Sequence, residues 1–228
     1  MSRENAIRNR LKTPRAAAVA GILFSILLIT SQLLVWVSIP ANVGEAALEV
    51  VSQSRRITLA LNLLPFAGIA FLWFIGVVRD RLGALEDRFF ATVFLGSGLL
   101  YIAMTFTSAA LAGGLVRILS SSPEILQTTG AYALSRAQIY QTMNVYGIKM
   151  AGAFMFSTST ILLRTRIVRR WIPLSGYVLG AVLLLSIGII VWVSLVFPVW
   201  IFLVSVVILL ENRSTGATIT SNEGAQTC

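Results

Sequence analysis

The fold of this chain is decided by residues 164–210, which read RTRIVRRWIPLSGYVLGAVLLLSIGIIVWVSLVFPVWIFLVSVVILL. Arginines crowd the start of this stretch, and no charged residue follows between Trp171 and Glu211. A membrane-spanning helix needs about 20 apolar residues, each adding about 1.5 Å of length. One helix over 172–210 would be nearly twice as long as the bilayer is thick, so we predict two spans joined by a tight hairpin at 191–198.

Composition extends this conclusion to the whole chain. Of its 228 residues, 57% are apolar and 12% are charged, and the mean hydropathy is +0.84. A soluble domain has about 25% charged residues, so this chain carries too few charges to cover a water-soluble globule. The composition indicates a polytopic membrane protein and excludes disordered, collagen-like and disulfide-stabilised proteins.

Six apolar stretches approach the length that a membrane-spanning helix requires. We therefore predict an all-α fold, a polytopic bundle of six transmembrane helices within a domain over 16–211. A basic arm precedes this domain over 1–15, and a tail rich in Ser, Thr, Gly and Asn follows over 212–228, where we expect disorder. The predicted spans are residues 16–39, 57–78, 89–115, 142–163, 172–191 and 195–210.

The distribution of Lys and Arg predicts the orientation of the bundle. The arm at 1–15 and the loops at 79–88 and 164–171 carry most of the basic residues, and all three lie on one side of the predicted membrane. Basic loops stay in the cytoplasm, so we expect both termini to be cytoplasmic. Basic residues beside apolar segments also account for the net charge of +9 without nucleic-acid binding.

The sequence lacks most of the groups that membrane enzymes use. It has no histidine, and no Asp or Glu falls within a predicted span. These absences exclude His-dependent hydrolases and disfavour proton relays built on carboxylates. Cys228 is the single cysteine, so no intrachain disulfide forms. We therefore predict no catalytic residue, no metal site and no cofactor.

Polar residues within the predicted spans are candidates for a ligand site. Lys149 is the one charge well inside a span, on a polar stripe of the fourth helix that includes Tyr146. Gln32 and Asn62 fall in the same outer half of the membrane. The four side chains converge on an anion, a lipid headgroup or a polar solute, or they are structural. In the structural alternative, Lys149 snorkels or pairs with an outer-loop glutamate, and the amides join neighbouring helices.

Small residues at helical spacing predict where the helices approach one another closely, because they let backbones come near. The residues with this spacing are Gly21 and Ser25 in the first span, Gly98 in the third, and Gly176 and Gly180 in the fifth. A GxxxG pair such as Gly176 and Gly180 either packs helices within one bundle or joins two copies of the chain into a homodimer.

The loop between the second and third spans resembles the signature loop of major facilitator transporters. It carries Gly76, Asp80, Arg81 and Gly83 at the spacing of that motif, but the basic pair that follows the motif's last glycine is absent. The resemblance implies that the Asp and Arg hold the inner ends of neighbouring helices together. The residues by themselves indicate a tight cytoplasmic turn with surface ion pairs.

The segment from Leu162 to Gly176 is similar to the junction between the fourth and fifth helices of a large family of uncharacterised six-helix bacterial integral membrane proteins. A basic loop, then Trp171 and then a glycine-containing helix start carry the likeness, together with Leu61 and Asn62 in the second span. The resemblance implies six-helix topology and the cytoplasmic membrane of a bacterium. It implies no activity.

Three classes of function stay open on the sequence. The first is an accessory or partner-binding membrane subunit without enzyme activity, favoured by the missing catalytic groups and the small-residue faces. The second is a small-solute or lipid-binding transporter or channel with a polar outer-half pocket around Lys149. The third is a membrane-embedded lipid-modifying enzyme that uses Lys149 and Tyr146 as acid–base groups. The expected partners are membrane lipids, other membrane subunits or a second copy of the chain.

Overall fold

Helices account for nearly all of the backbone that the structure, a computed structural model, describes. Long apolar segments favour helices because a helix satisfies its own backbone hydrogen bonds inside lipid. Backbone is described for residues 3–38, 43–82, 88–121, 130–165, 168–186 and 191–224. Side chains are described for residues 16–35, 55–79, 89–121, 130–164, 168–186 and 192–210.

Seven α-helices and two shorter helical segments follow one another in these ranges. They are α1 (Arg3–Ser38), α2 (Val43–Leu82), α3 (Arg88–Ser121), α4 (Ala131–Gln141), a π-helical segment (Thr142–Gly147), α5 (Ile148–Thr165), α6 (Trp171–Leu185), a 3₁₀ turn (Val191–Leu195) and α7 (Val196–Gly224). The π-helical segment joins α4 to α5 without a break, and the 3₁₀ turn leads directly into α7. The described chain thus forms six continuous helices.

Four of these helices are long and apolar enough to cross a membrane. Their apolar segments are Ala16–Val35, Arg55–Arg79, Phe89–Ser121 and Trp192–Leu210, and α6 is a shorter apolar helix. Segments of this length and hydropathy are typical of a polytopic membrane protein.

The chain reverses direction between α6 and α7. Ser186 has extended backbone at the end of α6, and Trp200 Nε1 donates a hydrogen bond of 3.3 Å to Ser175 Oγ. In one straight helix these two residues would lie about 38 Å apart, so a single helix over 172–210 is excluded. The residues of the predicted hairpin at 191–198 are helical instead, because they form the 3₁₀ turn and the first turn of α7. Pro198 lies in the first turn of α7, where its missing N–H is tolerated.

An aromatic cluster fills the centre of the bundle. Helix α1 packs against α2 and α7, α2 against α3, α3 against α5, and α5 against α6. The ring of Phe71 contacts the rings of Phe24, Tyr101, Phe154 and Phe197, with centroids 4.4 to 6.0 Å apart. Each such pair adds about 0.5–1.5 kcal/mol beyond the burial of its apolar area, so Phe71 joins α2 to four other helices in one core.

The predicted terminal segments fall mostly outside the described side chains. Helix α1 begins at Arg3, within the basic arm, and α7 continues to Gly224, through most of the polar tail. Side chains before residue 16 and after residue 210 are outside the described set. Disorder of the tail over 212–228 stays a prediction.

Candidate functional site

The structure distributes the four predicted ligand residues among three places. Gln32 lines a cavity between the helices, and Asn62 lines a separate groove between α2 and α3. Tyr146 is 61% exposed, and the half-buried Lys149 lines neither the cavity nor the groove. The outer-loop glutamates that could pair with Lys149 are Glu45, Glu49 and Glu124. Their side chains lie outside the described set.

The cavity has a volume of about 320 Å³ and lies among α1, α2, α3 and the continuous helix at 131–147. Its lining comes from the second halves of α1 and α3 and from the start of the hydrophobic part of α2. All of these parts lie at the end of the bundle opposite the basic loops at 79–88 and 164–171. The cavity therefore occupies the half of the bundle that we predict to face outward.

Apolar side chains form most of the cavity wall, and a few polar groups interrupt it. The apolar part includes Leu28, Leu61 and Leu64. A wall of this kind is typical of ligand pockets, where apolar surface supplies affinity and a few polar groups orient the ligand. The polar lining residues are Ser31, Gln32, Thr105, Ser108, Arg136, Tyr140, Asn144 and Ser194.

Two amide oxygens at this wall receive no hydrogen bond from the described residues. They are Gln32 Oε1 and Asn144 Oδ1, both fully buried as atoms. Asn144 as a whole is 8% exposed. A buried acceptor without a partner destabilises a protein by about 1–3 kcal/mol, and native structures contain few of them. Both oxygens belong to amide side chains that line one cavity, which makes these two side chains the candidate polar contacts of a ligand there.

The other buried polar atoms without described partners lie where the helices are closely packed. The Oγ atoms of Ser159 and Ser205 fall where side chains at Gly176 and Gly21 would otherwise be. The hydroxyl of Tyr101 is buried as well, and its ring packs against Phe71 and Phe197. None of these three residues lines the cavity, whereas Gln32 and Asn144 both do.

Asn144 lies in the π-helical segment and lines the cavity. Turns of this kind inside α-helices are frequent at functional sites. Asn144 precedes the buried residues Ile148 and Ala151 by four and seven positions, so helical spacing places it on their buried face. The stripe predicted from Lys149 follows a neighbouring face, which contains the exposed Tyr146 and misses Asn144.

Hydrogen bonds between helices hold the cavity wall in place. Ser31 Oγ donates a bond of 2.8 Å to the carbonyl of Ala60, which joins α1 to α2. Ser108 Oγ donates a bond of 3.2 Å to the carbonyl of Ile139, which joins α3 to α4. Bonds of this kind stabilise helix association inside lipid, so they preorganise the cavity.

Every charged side chain that the structure describes is basic. Arg136 is exposed and lines the cavity. Burial raises the pKa of the neighbouring Tyr132 hydroxyl, while the positive charge of Arg136 opposes that change. A site with one cation, two amide acceptors and no described carboxylate favours neutral or anionic ligands over cationic ones.

The predicted packing residues all lie buried against neighbouring helices of the same chain. A Cβ atom at Gly98 would lie 2.7 Å from Ile75 Cδ1, and Ser25 Oγ bonds the carbonyl of Gly21 at 2.8 Å. At Gly180 a Cβ atom would lie 2.9 Å from the ring of Phe156 on α5. These small residues are therefore used inside the bundle.

Gly176 and Gly180 are also buried within a single chain. A Cβ atom at Gly176 would overlap Ser159 Oγ on α5 and come within 2.5 Å of the Trp200 ring on α7. The carbonyl of Gly152 on α5 would lie 3.1 Å from a Cβ atom at Gly180. The GxxxG pair therefore joins α6 to α5 and α7 of the same chain.

The predicted loop motif lies largely beyond the described side chains. Gly76 is exposed, and no atom lies within 4 Å of the position that its Cβ would occupy. The side chains of Asp80 and Arg81 and the whole of Gly83 fall outside the described residues. The predicted role of this motif stays a prediction.

No family model matches the chain, and no curated protein or solved structure is significantly similar to it. The likeness to six-helix bacterial membrane proteins and to the major facilitator loop stays a prediction. Any function must therefore be argued from the geometry of the bundle itself.

Proposed function

We propose that the chain is a six-span protein of a bacterial cytoplasmic membrane, with both termini in the cytoplasm. Four long apolar helices supply four of the spans. The continuous π-helical segment and α5 cover the predicted span at 142–163, and the hairpin partner α6 covers most of the span at 172–191. The basic residues on one side support the orientation.

The orientation is tested by labelling single cysteines with a membrane-impermeant thiol reagent in intact cells. In a Cys228→Ser background, Ser121→Cys lies at the outer end of α3 and Thr165→Cys lies at the inner end of α5. We expect the first variant to be labelled in intact cells and the second to be labelled only after lysis. The opposite pattern would contradict the orientation.

We propose that this membrane protein binds a small amphipathic molecule in the cavity among α1, α2, α3 and the helix at 131–147. The observation that carries the proposal is the pair of buried, unpartnered oxygens, Gln32 Oε1 and Asn144 Oδ1, at the wall of one cavity. The π-helical geometry around Asn144 supports it independently. The described residues contain no comparable feature that supports the alternative function, an accessory subunit.

The chemistry of the lining limits the class of ligand. The amides of Gln32 and Asn144 both donate and accept hydrogen bonds, so the ligand carries polar groups such as hydroxyl or amide that can pair with them. The apolar wall contacts a nonpolar body, and Arg136 disfavours a cationic ligand. A neutral or anionic hydroxylated lipid or a small amphipathic solute has these properties, which makes the protein a small-solute or lipid-binding protein of the transporter class.

The test is to identify what purifies with the protein. Wild-type protein, Asn144→Leu and Gln141→Leu are purified in mild detergent, and their bound small molecules and lipids are extracted and identified by mass spectrometry. Leu has nearly the shape of Asn, so the first variant removes the acceptor and keeps the packing. Gln141→Leu is the matched control, because Gln141 is exposed and does not line the cavity.

We expect one hydroxyl- or amide-containing compound to be present in wild type and in Gln141→Leu. Its amount should fall about tenfold in Asn144→Leu, since a lost hydrogen bond from a buried group weakens binding by about 1.5 kcal/mol. Identical contents in all three proteins would contradict the proposed function.

A further inference from the structure

A second opening lies between α2 and α3, separate from the cavity. It is a groove of about 560 Å³ at the same end of the bundle. Its polar lining comes from Thr58 and Asn62 on α2 and from Arg117, Ser120 and Ser121 on α3. All five of these residues are exposed, so the groove opens on the outer surface of the bundle and not toward its centre.

The groove contains a guanidinium near the end of a candidate membrane span. Arg117 lies in the last two turns of the apolar segment Phe89–Ser121. A charged side chain at that depth is stabilised only by reaching the interface or by pairing with an opposite charge. No carboxylate occurs among the side chains that the structure describes, so the described part of the chain offers Arg117 no ion-pair partner.

The floor of the groove is open. A Cβ atom at Gly113 would touch only Leu61, at 3.4 Å. Both residues line the groove, which leaves room beside them for a headgroup.

We propose that this groove binds the headgroup phosphate of a phospholipid in the outer leaflet of the membrane. Arg117 pairs with two phosphate oxygens through its planar fork of donors. The Thr58 hydroxyl and the Asn62 amide donate to the remaining oxygens, and Leu61 and Val116 contact the glycerol backbone and the start of the acyl chains. The site is separate from the cavity and its ligand, and its place in the outer leaflet rests on the orientation proposed above.

The test is a lipid titration of the full-length protein in detergent, read by native mass spectrometry. The probes are phosphatidylglycerol, a diacylglycerol with the same acyl chains and no phosphate, and inorganic phosphate. The variants are Arg117→Gln, Arg117→Lys and the matched control Arg56→Gln. Arg56 is an exposed arginine at the same end of α2 that does not line the groove.

We expect Arg117→Gln to weaken the binding of phosphatidylglycerol about tenfold, because charge-assisted hydrogen bonds stabilise by about 1.5–3 kcal/mol. Arg117→Lys should weaken the binding less, since Lys keeps the positive charge and lacks only the planar set of guanidinium donors. Arg56→Gln should stay within about twofold of wild type, since exposed charges away from a site contribute little. Diacylglycerol should bind equally weakly to all proteins.

Two outcomes would overturn the proposal. Equal affinity of wild type and Arg117→Gln for phosphatidylglycerol would show that Arg117 does not contact the phosphate. Displacement of phosphatidylglycerol by millimolar inorganic phosphate would assign the site to a free anion instead of a lipid. Because Arg117 is exposed, an unchanged unfolding temperature of the variant separates a lost contact from a lost fold.

Discussion

The two halves of the bundle are packed in opposite ways. In the closed half, around Phe71 and Gly176, aromatic rings interlock and any added Cβ atom at the glycine would overlap a neighbour. The open half, around Asn144 and Arg117, contains the cavity and the groove. Glycines therefore differ between the halves: Gly176 brings helices together in the closed half, and Gly113 and Gly114 leave space in the open half.

The difference indicates where stability and function reside. Helices in lipid gain little from the hydrophobic effect between one another, so close packing and hydrogen bonds must hold them together. The closed half supplies that packing for four helices around one ring, Phe71. The open half is then free to keep unpartnered acceptors at its cavity, at some loss of stability, where a ligand satisfies them.

The largest expected effect lies at the centre of the closed half. Phe71→Ala removes the ring that contacts four others and should lower the free energy of unfolding by about 3–5 kcal/mol, because a cavity replaces a buried ring. Phe66→Ala on the same helix is the control, since Phe66 is 62% exposed. Unfolding in detergent measures both, and equal effects would contradict the assignment of Phe71 to the core.

A smaller loss of stability is expected at the contact of α6 with α5 and α7. Gly176→Ala places a methyl group against Ser159 Oγ and the Trp200 ring, and overpacking of this kind destabilises by about 1–3 kcal/mol. Adding Ser159→Ala to that variant should restore part of the loss, because one of the two overlapping groups disappears. No rescue in the double variant would argue against the close contact between Gly176 and Ser159.

At the cavity we expect a substitution to raise the free energy of unfolding instead of lowering it. Asn144→Leu should stabilise the ligand-free protein by about 1 kcal/mol, because a buried unpartnered amide is replaced by an apolar group of similar shape. The same variant should lose the rise in unfolding temperature that the co-purified compound produces in wild type. If Asn144→Leu is instead less stable than wild type, while Gln141→Leu is not, the amide has a structural partner.

The smallest effect should come from the glycine in the open half. Gly114→Ala meets no atom within 4 Å, so it should stabilise by about 0.5–1 kcal/mol through the higher helix propensity of Ala. The same substitution at Gly176 has the opposite sign, which makes the pair a direct comparison of the two halves. Thermal unfolding of both variants checks it, and a destabilised Gly114→Ala protein would show that the open half is closely packed.

Local sequence patterns predicted the helices well because hydropathy and length alone determine them in a membrane protein. The all-helical fold and the reversal between residues 172 and 210 follow from that rule. The apolar segments at Ala16–Val35 and Phe89–Ser121 also lie where the sequence predicts spans. In the structure, length and hydropathy mark four of the six predicted spans, since α6 is short and α5 is not among the four long apolar helices.

The site was less predictable for a geometric reason. The predicted stripe started from the charge of Lys149, whereas the buried face of that helix runs through Asn144, Ile148 and Ala151. Gln32 was predicted because an amide within an apolar span is conspicuous, and Asn144 lies off the stripe that Lys149 defined. The cavity itself is a gap among four helices, and no single helix contains information about that gap.

The most direct test of the account is a side-chain-resolution map of the wild-type protein, extracted with its native lipids. We predict continuous non-protein density in the cavity among α1, α2, α3 and the helix at 131–147. That density should lie within about 2.7–3.2 Å of Asn144 Oδ1 and Gln32 Oε1, the distance of a hydrogen bond. A map in which both oxygens accept hydrogen bonds from other side chains, or in which water alone fills the cavity, would contradict the account.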